Sequence, residues 1–178
     1  MPIVVNHIKF TNILIACNWR FEETQVKINT ATAQDMVKER LSKTPSSFLE
    51  FVEYFDLLAN AEDNIWFISI KDYLKENNGE GFSWNEFELQ SLEYSDGQEK
   101  KDVIKFWNDH LPFMMSVKSD YAYVAIVLNG EDKGQIVTGN KPEYEDTVTL
   151  ANSLEEFFEK YVLVLKGQLE EPALKLFI

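Results

Sequence analysis

The sequence predicts an α+β fold, a mixed and mainly antiparallel β-sheet flanked by helices, and three observations carry that prediction. Apolar runs of strand length recur at 65–68, 112–117, 121–128, 135–138 and 147–151, with the third quarter of the chain reading as strands joined by tight turns. Apolar residues at helical spacing mark 48–55 and 100–110, and Ser153 with Glu156 opens a last helix. No internal repeat and no Gly/Ser/Pro-rich linker divides the chain, so residues 1–178 read as one domain.

Taken in order, residues 3–10 and 13–21 read as two strands around a Thr11-Asn12 turn, because Ile13, Ile15, Cys17, Trp19 and Phe21 alternate on one face. Together they form an N-terminal strand extension. A helix opening at Thr30 or Thr32 carries Met36, Val37 and Leu41. Thr44-Pro45 then reads as a cap followed by proline at the first helical position. That second helix carries Phe48, Leu49, Phe51, Val52 and Phe55. Residues 69–77 form a helical turn or two ended by Asn77-Asn78-Gly79, and Trp84 to Tyr94 forms a helix. Lys100 to His110 is helical and stops before Pro112. Asn129 to Gly134 is a hairpin turn. The short tail after Gly167 docks through Leu174, Leu176, Phe177 and Ile178.

Composition narrows the function classes. Of 178 residues 45% are hydrophobic and 13% aromatic, which suits a packed core rather than disorder. Seventeen Lys and Arg against thirty Asp and Glu give a net charge of −13. Phosphate backbones and anionic membrane surfaces select the opposite sign, so neither nucleic acid nor membrane is expected as a partner. A basic protein would be steered toward such a surface, although acidity also simply keeps a protein soluble. The longest apolar run, Tyr121 to Leu128, falls far short of the roughly 20 residues of a spanning helix. Leu14-Ile15-Ala16-Cys17 resembles a lipoprotein cleavage box. Lys9 is the only early cation, however, and Asn12 interrupts the apolar stretch, so Cys17 reads as a buried strand cysteine in a cytoplasmic protein.

Catalytic patterns are absent. The two histidines, His7 in a strand and His110 at a helix end, have no partners at metal-ligand spacing, and one cysteine makes no zinc cluster. No G-x-S-x-G or S-x-x-K arrangement occurs. Gly79-Glu80-Gly81 places an acid where a phosphate would approach. The expectation is a non-enzyme without cofactor or metal.

Charge is distributed unevenly. From Glu76 to Glu99 there are seven acids and no Lys or Arg, with Phe82, Trp84, Phe87 and Tyr94 among them. Aromatics supply contact energy and acids supply steering, so this stretch suits a face that binds a basic protein. The residues selected for that face are Phe82, Trp84, Glu86, Glu88, Glu93, Tyr94 and Asp96. The alternative, a solvated acidic face with its aromatics turned into the core, stays open. Glu143, Tyr144, Glu145 and Asp146 form a second acidic cluster with the same two readings.

From Leu111 the chain reads Leu111-Pro112-Phe113, then Ser119-Asp120-Tyr121-Ala122-Tyr123-Val124-Ala125-Ile126, then Gly134-Gln135-Ile136-Val137, and finally Leu150-Ala151-Asn152-Ser153-Leu154-Glu155-Glu156-Phe157-Phe158. This series resembles the SUKH superfamily, which unites a yeast cell-wall-synthesis regulator with many bacterial immunity proteins. The resemblance covers about residues 33–165, with the proline-preceded block from Leu41 to Phe55 as its first helical part. Ser119 stands where the family usually has Gly, Asn60-Ala61 where it often has Asn-Gly, and the first thirty residues have no counterpart. The resemblance implies a SUKH-like sheet with surrounding helices and no catalytic residues. Its implied role is a protein partner, in bacteria a toxin domain such as a basic-clefted nuclease that this chain would neutralise. A scaffold or regulatory module binding client proteins is the alternative, and a small-ligand-binding or hydrolytic domain is a third.

Overall fold

The computed structural model describes residues 5–25, 27, 29–75 and 81–178. The chain opens with a helix, α1 (His7–Ala16), where the alternation of apolar residues predicts strands. The Asn6 side chain caps it by accepting from the Lys9 N–H at 2.9 Å. At the other end Asn18 adopts a left-handed φ of 65°. The Trp19 and Asn18 N–H groups then donate to the Leu14 and Ile15 carbonyls, both at 3.0 Å, closing the helix in a Schellman arrangement. Phe10 and Leu14, four residues apart, are its buried stripe. Ile15 and Cys17, expected inside, are exposed, and His7 begins this helix rather than lying in a strand. Only Arg20–Glu23 is extended, as β1. Residues 3 and 4 of the expected first strand lie outside the described residues.

A 3-10 turn at Thr30–Thr32 precedes α2 (Asp35–Ser42), which buries Val37 and Leu41. The Thr44 hydroxyl, expected to cap the next helix, instead donates back to the Leu41 carbonyl at 2.7 Å. Helix α3 (Ser46–Val52) is shorter than its pattern implies. Phe55 lies beyond it and opens a strand, β2 (Phe55–Ala59), that the helical spacing of aromatics conceals. The Asn60 carboxamide oxygen accepts from the Asn64 and Ile65 N–H groups, both at 3.0 Å, and so folds the turn into β3 (Ile65–Phe67). Ser69 and Asp72 form a full capping box on α4 (Ile70–Leu74). The expected Asn-Asn-Gly stop, together with Glu76 and Glu80, lies outside the described residues.

Helices α5 (Glu86–Tyr94) and α6 (Gly97–Asn108) follow. Trp84 precedes α5 rather than starting it. The remaining strands are β4 (His110–Ser116), β5 (Ala122–Val127), β6 (Ile136–Asn140) and β7 (Val148–Ala151). Pro112 sits inside β4 at a register shift before Met114, a position where no ladder N–H is needed, and its carbonyl accepts from the Tyr73 hydroxyl at 2.5 Å. Helix α7 (Leu154–Leu165) is capped by Ser153 as expected, but the Glu156 carboxylate reaches the Asn152 N–H rather than that of Ser153. The tail docks as a 3-10 turn at Pro172–Phe177, burying Leu174 and Phe177, and the Tyr161 hydroxyl donates to the Phe177 carbonyl at 2.6 Å.

The seven strands form one sheet in the order β1-β2-β3-β4-β5-β6-β7, antiparallel at every pairing. Each strand therefore lies beside its neighbour in sequence, with α2 and α3 inserted between β1 and β2 and α4, α5 and α6 between β3 and β4. Its two faces are covered differently. Phe67 meets Phe10 of α1, Phe51 of α3 and Tyr161 of α7, and Phe113 beside it meets Phe48 of α3 and Phe157 of α7. The other face carries a row in direct register, Trp66, Met115, Tyr123 and Gly139. Phe82 lies on Trp66, while Phe87 of α5 and Trp107 of α6 lie on Tyr123. This second face supports the candidate site.

Candidate functional site: an acidic groove

Helix α5 presents Glu86, Gln90, Glu93 and Tyr94 along one edge, at helical spacings of four, seven and eight. The loop between β6 and β7 faces that edge with Glu143, Glu145 and Asp146, and Glu99 and Val103 of α6 close one side. Between them lies an open cavity of about 830 Å³. The two acidic clusters, half a hundred residues apart in sequence, thus share one groove. Among the described residues, six carboxylates line it against a single ammonium, that of Lys141, which sits 5.5 Å from the centre of the Tyr121 ring.

The walls are fixed by aromatic packing. Phe87 and Tyr144 stack with centroids 4.7 Å apart and planes at 15°, which holds the β6–β7 loop against α5. The Tyr144 hydroxyl donates to the Gln90 side-chain oxygen at 3.0 Å. Burial, reinforced by the nearby Asp120 carboxylate, pushes its pKa up to about 12, so the phenol remains a neutral donor. The Tyr123 hydroxyl donates to the Tyr144 carbonyl from below. The Trp107 indole N–H donates to Glu145 at 2.8 Å, committing that carboxylate to the scaffold. Glu86 is half-buried and accepts from Gln90 at 3.2 Å. Glu93, Glu99, Glu143 and Asp146 are exposed and make no ion pair among the described residues.

The seven residues selected from sequence separate into distinct groups. Glu86, Glu93 and Tyr94 line the groove, and Tyr94 is 85% exposed. Phe82 is 42% exposed but packs on Trp66, Phe87 and Tyr121 beside the groove rather than in it. Asp96 is exposed at the start of α6 and does not line the cavity. Two assignments are corrected. Trp84 is buried edge-on to Tyr73, so it belongs to the core. Glu88 points inward on α5, where Arg40 binds both its oxygens, so it cannot face a partner. Lys141, Tyr121 and Gln90 join the groove without a sequence signal, because their placement depends on how the β6–β7 loop returns over α5.

Among the described residues, no group of three or more His, Cys, Asp or Glu is arranged to hold a metal ion, and no helix is long and apolar enough to cross a membrane. His110 begins β4 with its ring stacked on Phe106 at 3.9 Å and its Nδ1 2.7 Å from the Phe106 carbonyl. No family model, curated protein or solved structure matches the chain.

Proposed function

We propose that this protein is a non-catalytic, stoichiometric binder that receives a basic protein surface in the acidic groove. In biological terms it is an immunity protein of the SUKH kind, acting in the cytoplasm on a toxin domain with a basic cleft. The observation that carries the binding reading is the convergence of two acidic clusters on one groove, with an exposed tyrosine at its rim. Unpaired carboxylates in a concave site focus the field and speed encounter with a cation-rich partner. A tyrosine such as Tyr94 supplies contact area at low entropic cost. The toxin-directed role rests on the resemblance of residues 33–165 to SUKH sequences and on the net charge of −13.

The test is capture from lysate of the source organism with the tagged protein, at low and at high salt, alongside a Glu93→Lys/Glu99→Lys/Glu143→Lys variant. One salt-sensitive partner with a basic domain, bound by the wild type and lost by the variant, is the expected result. A partner held equally by the variant would remove the groove from the function. Several partners of regulatory type would favour the scaffold reading.

A further inference from the structure

On another side of α6 the surface changes sign. We propose that the pocket between α2 and α6 binds a small phosphorylated ligand, its phosphate dianion held by Lys101 and Lys105. This proposal is independent of the acidic groove.

Two helical stripes of matching spacing form the pocket. Met36, Glu39, Arg40 and Lys43 face it from α2, and Lys101, Ile104, Lys105 and Asn108 face it from α6. Asp109 and Asn129 complete a cavity of about 420 Å³. Four cationic side chains against two carboxylates therefore converge in a chain whose net charge is −13. Both carboxylates are already engaged, and so are two of the cations, Lys43 and Arg40. Glu39 pairs with Lys43 at 3.0 Å, and Asp109 accepts from the Asn129 amide at 2.6 Å. Lys101 and Lys105, one turn apart on α6, have no ion pair among the described residues.

Arg40 supplies the second observation. It is only 2% exposed, and its terminal nitrogens bind Glu88 and Asn108. Its Nε–H, in contrast, is buried without an acceptor among the described residues. A buried cationic donor left unmade is costly, and Arg40 also lines the pocket, so its guanidinium stands beside any anion bound there. A phosphate suits this wall better than a carboxylate, because it carries more charge and more acceptor oxygens for two lysines. Met36 and Ile104, 36% and 43% exposed at the pocket, offer apolar contact to the organic part of a phosphoester.

The experiment is an amide NMR titration of the full chain with sodium phosphate and with adenosine monophosphate, each against sodium chloride at equal ionic strength. Saturable shifts confined to α2, α6 and Asn129 are expected, absent with chloride. Lys101→Glu/Lys105→Glu should weaken binding at least about tenfold, because charge-assisted bonds become repulsion. Its melting temperature should not change, and Glu93→Lys should bind as the wild type does. Tighter binding of the nucleotide, with the Met36 and Ile104 amides shifting, identifies a phosphoester ligand, and equal binding identifies free phosphate. Shifts that follow ionic strength alone, or that persist in the folded double variant, overturn the proposal.

Discussion

Arg40 of α2 and Glu88 of α5 are joined by two parallel hydrogen bonds of 2.7 and 2.8 Å, with their side chains only 3% and 8% exposed. The guanidinium also lies 5.5 Å from the centre of the Trp84 ring. The pair ties the helix that lines the cationic pocket to the helix that walls the acidic groove. Burying two charges costs solvation, which the fork-on-carboxylate geometry offsets.

Removing one partner should therefore be far worse than removing both. Glu88→Ala leaves a buried guanidinium without its counter-charge and is expected to cost about 3–5 kcal/mol. Arg40→Met/Glu88→Leu replaces the pair by apolar volume and should recover most of that loss. Urea unfolding of the three proteins decides the matter. A Glu88→Ala cost no larger than that of an ordinary surface change would mean that water reaches the pair.

Gly139 tests how closely the groove floor is built. It lies opposite Tyr123 in the β5–β6 register. A Cβ there would stand 2.5 Å from the Tyr144 carbonyl oxygen and 2.7 Å from the Tyr123 hydroxyl. The first of these atoms is backbone, so relief requires the β6–β7 loop itself to shift. Gly139→Ala should cost about 1–3 kcal/mol, in the range of core overpacking. It should also alter the near-ultraviolet circular dichroism of the tyrosines as the β6–β7 loop moves. An unchanged melting temperature would show that the loop yields freely.

His110 gives the fold a pH dependence of predictable sign. Burial lowers its pKa below 6.5, against the opposing bond to the Phe106 carbonyl and the Asp109 charge. The unfolded chain thus takes up a proton more readily than the folded one. Its contribution to stability is full above about pH 6.5 and declines as the pH falls from there toward the folded value. His110→Gln should flatten the stability profile just below pH 6.5, measured by denaturant unfolding. A His110 proton resonance titrating above 6.5 would contradict this.

Much of the fold was legible where periodicity and boundary signals agree. The strands after Leu111 carry apolar runs bounded by Asp120 and by the Asn129-Gly130 turn, and all lie close to their expected limits. Ser153 likewise announces α7. The N-terminus misleads because Ile13, Ile15, Cys17 and Trp19 alternate by chance while the helical pair Phe10 and Leu14 does the packing. Asn6 as cap and Asn18 as left-handed stop were the signals to weigh against that alternation. Strand β2 was hidden because no Gly or Pro separates it from α3. Of the site, the two acidic clusters are visible in sequence. Their meeting is not, since it depends on the Phe87–Tyr144 stack. The inward turn of Glu88 depends on a partner 48 residues away.

The groove itself predicts a separation of rate from stability. Glu93 and Glu99 are exposed and unpaired, so converting both to Lys should change folding stability by no more than about 0.5 kcal/mol. Association with a basic partner should fall by about tenfold or more at low salt, and the salt dependence should shrink with it. Tyr94→Ala, at an 85% exposed position, should act instead on dissociation, because it removes contact area without removing field. Stopped-flow association at two salt concentrations, paired with dissociation measured by dilution, distinguishes the two effects. If charge reversal leaves the association rate untouched, the carboxylates of the groove do not guide the partner and its landing surface lies elsewhere on the molecule.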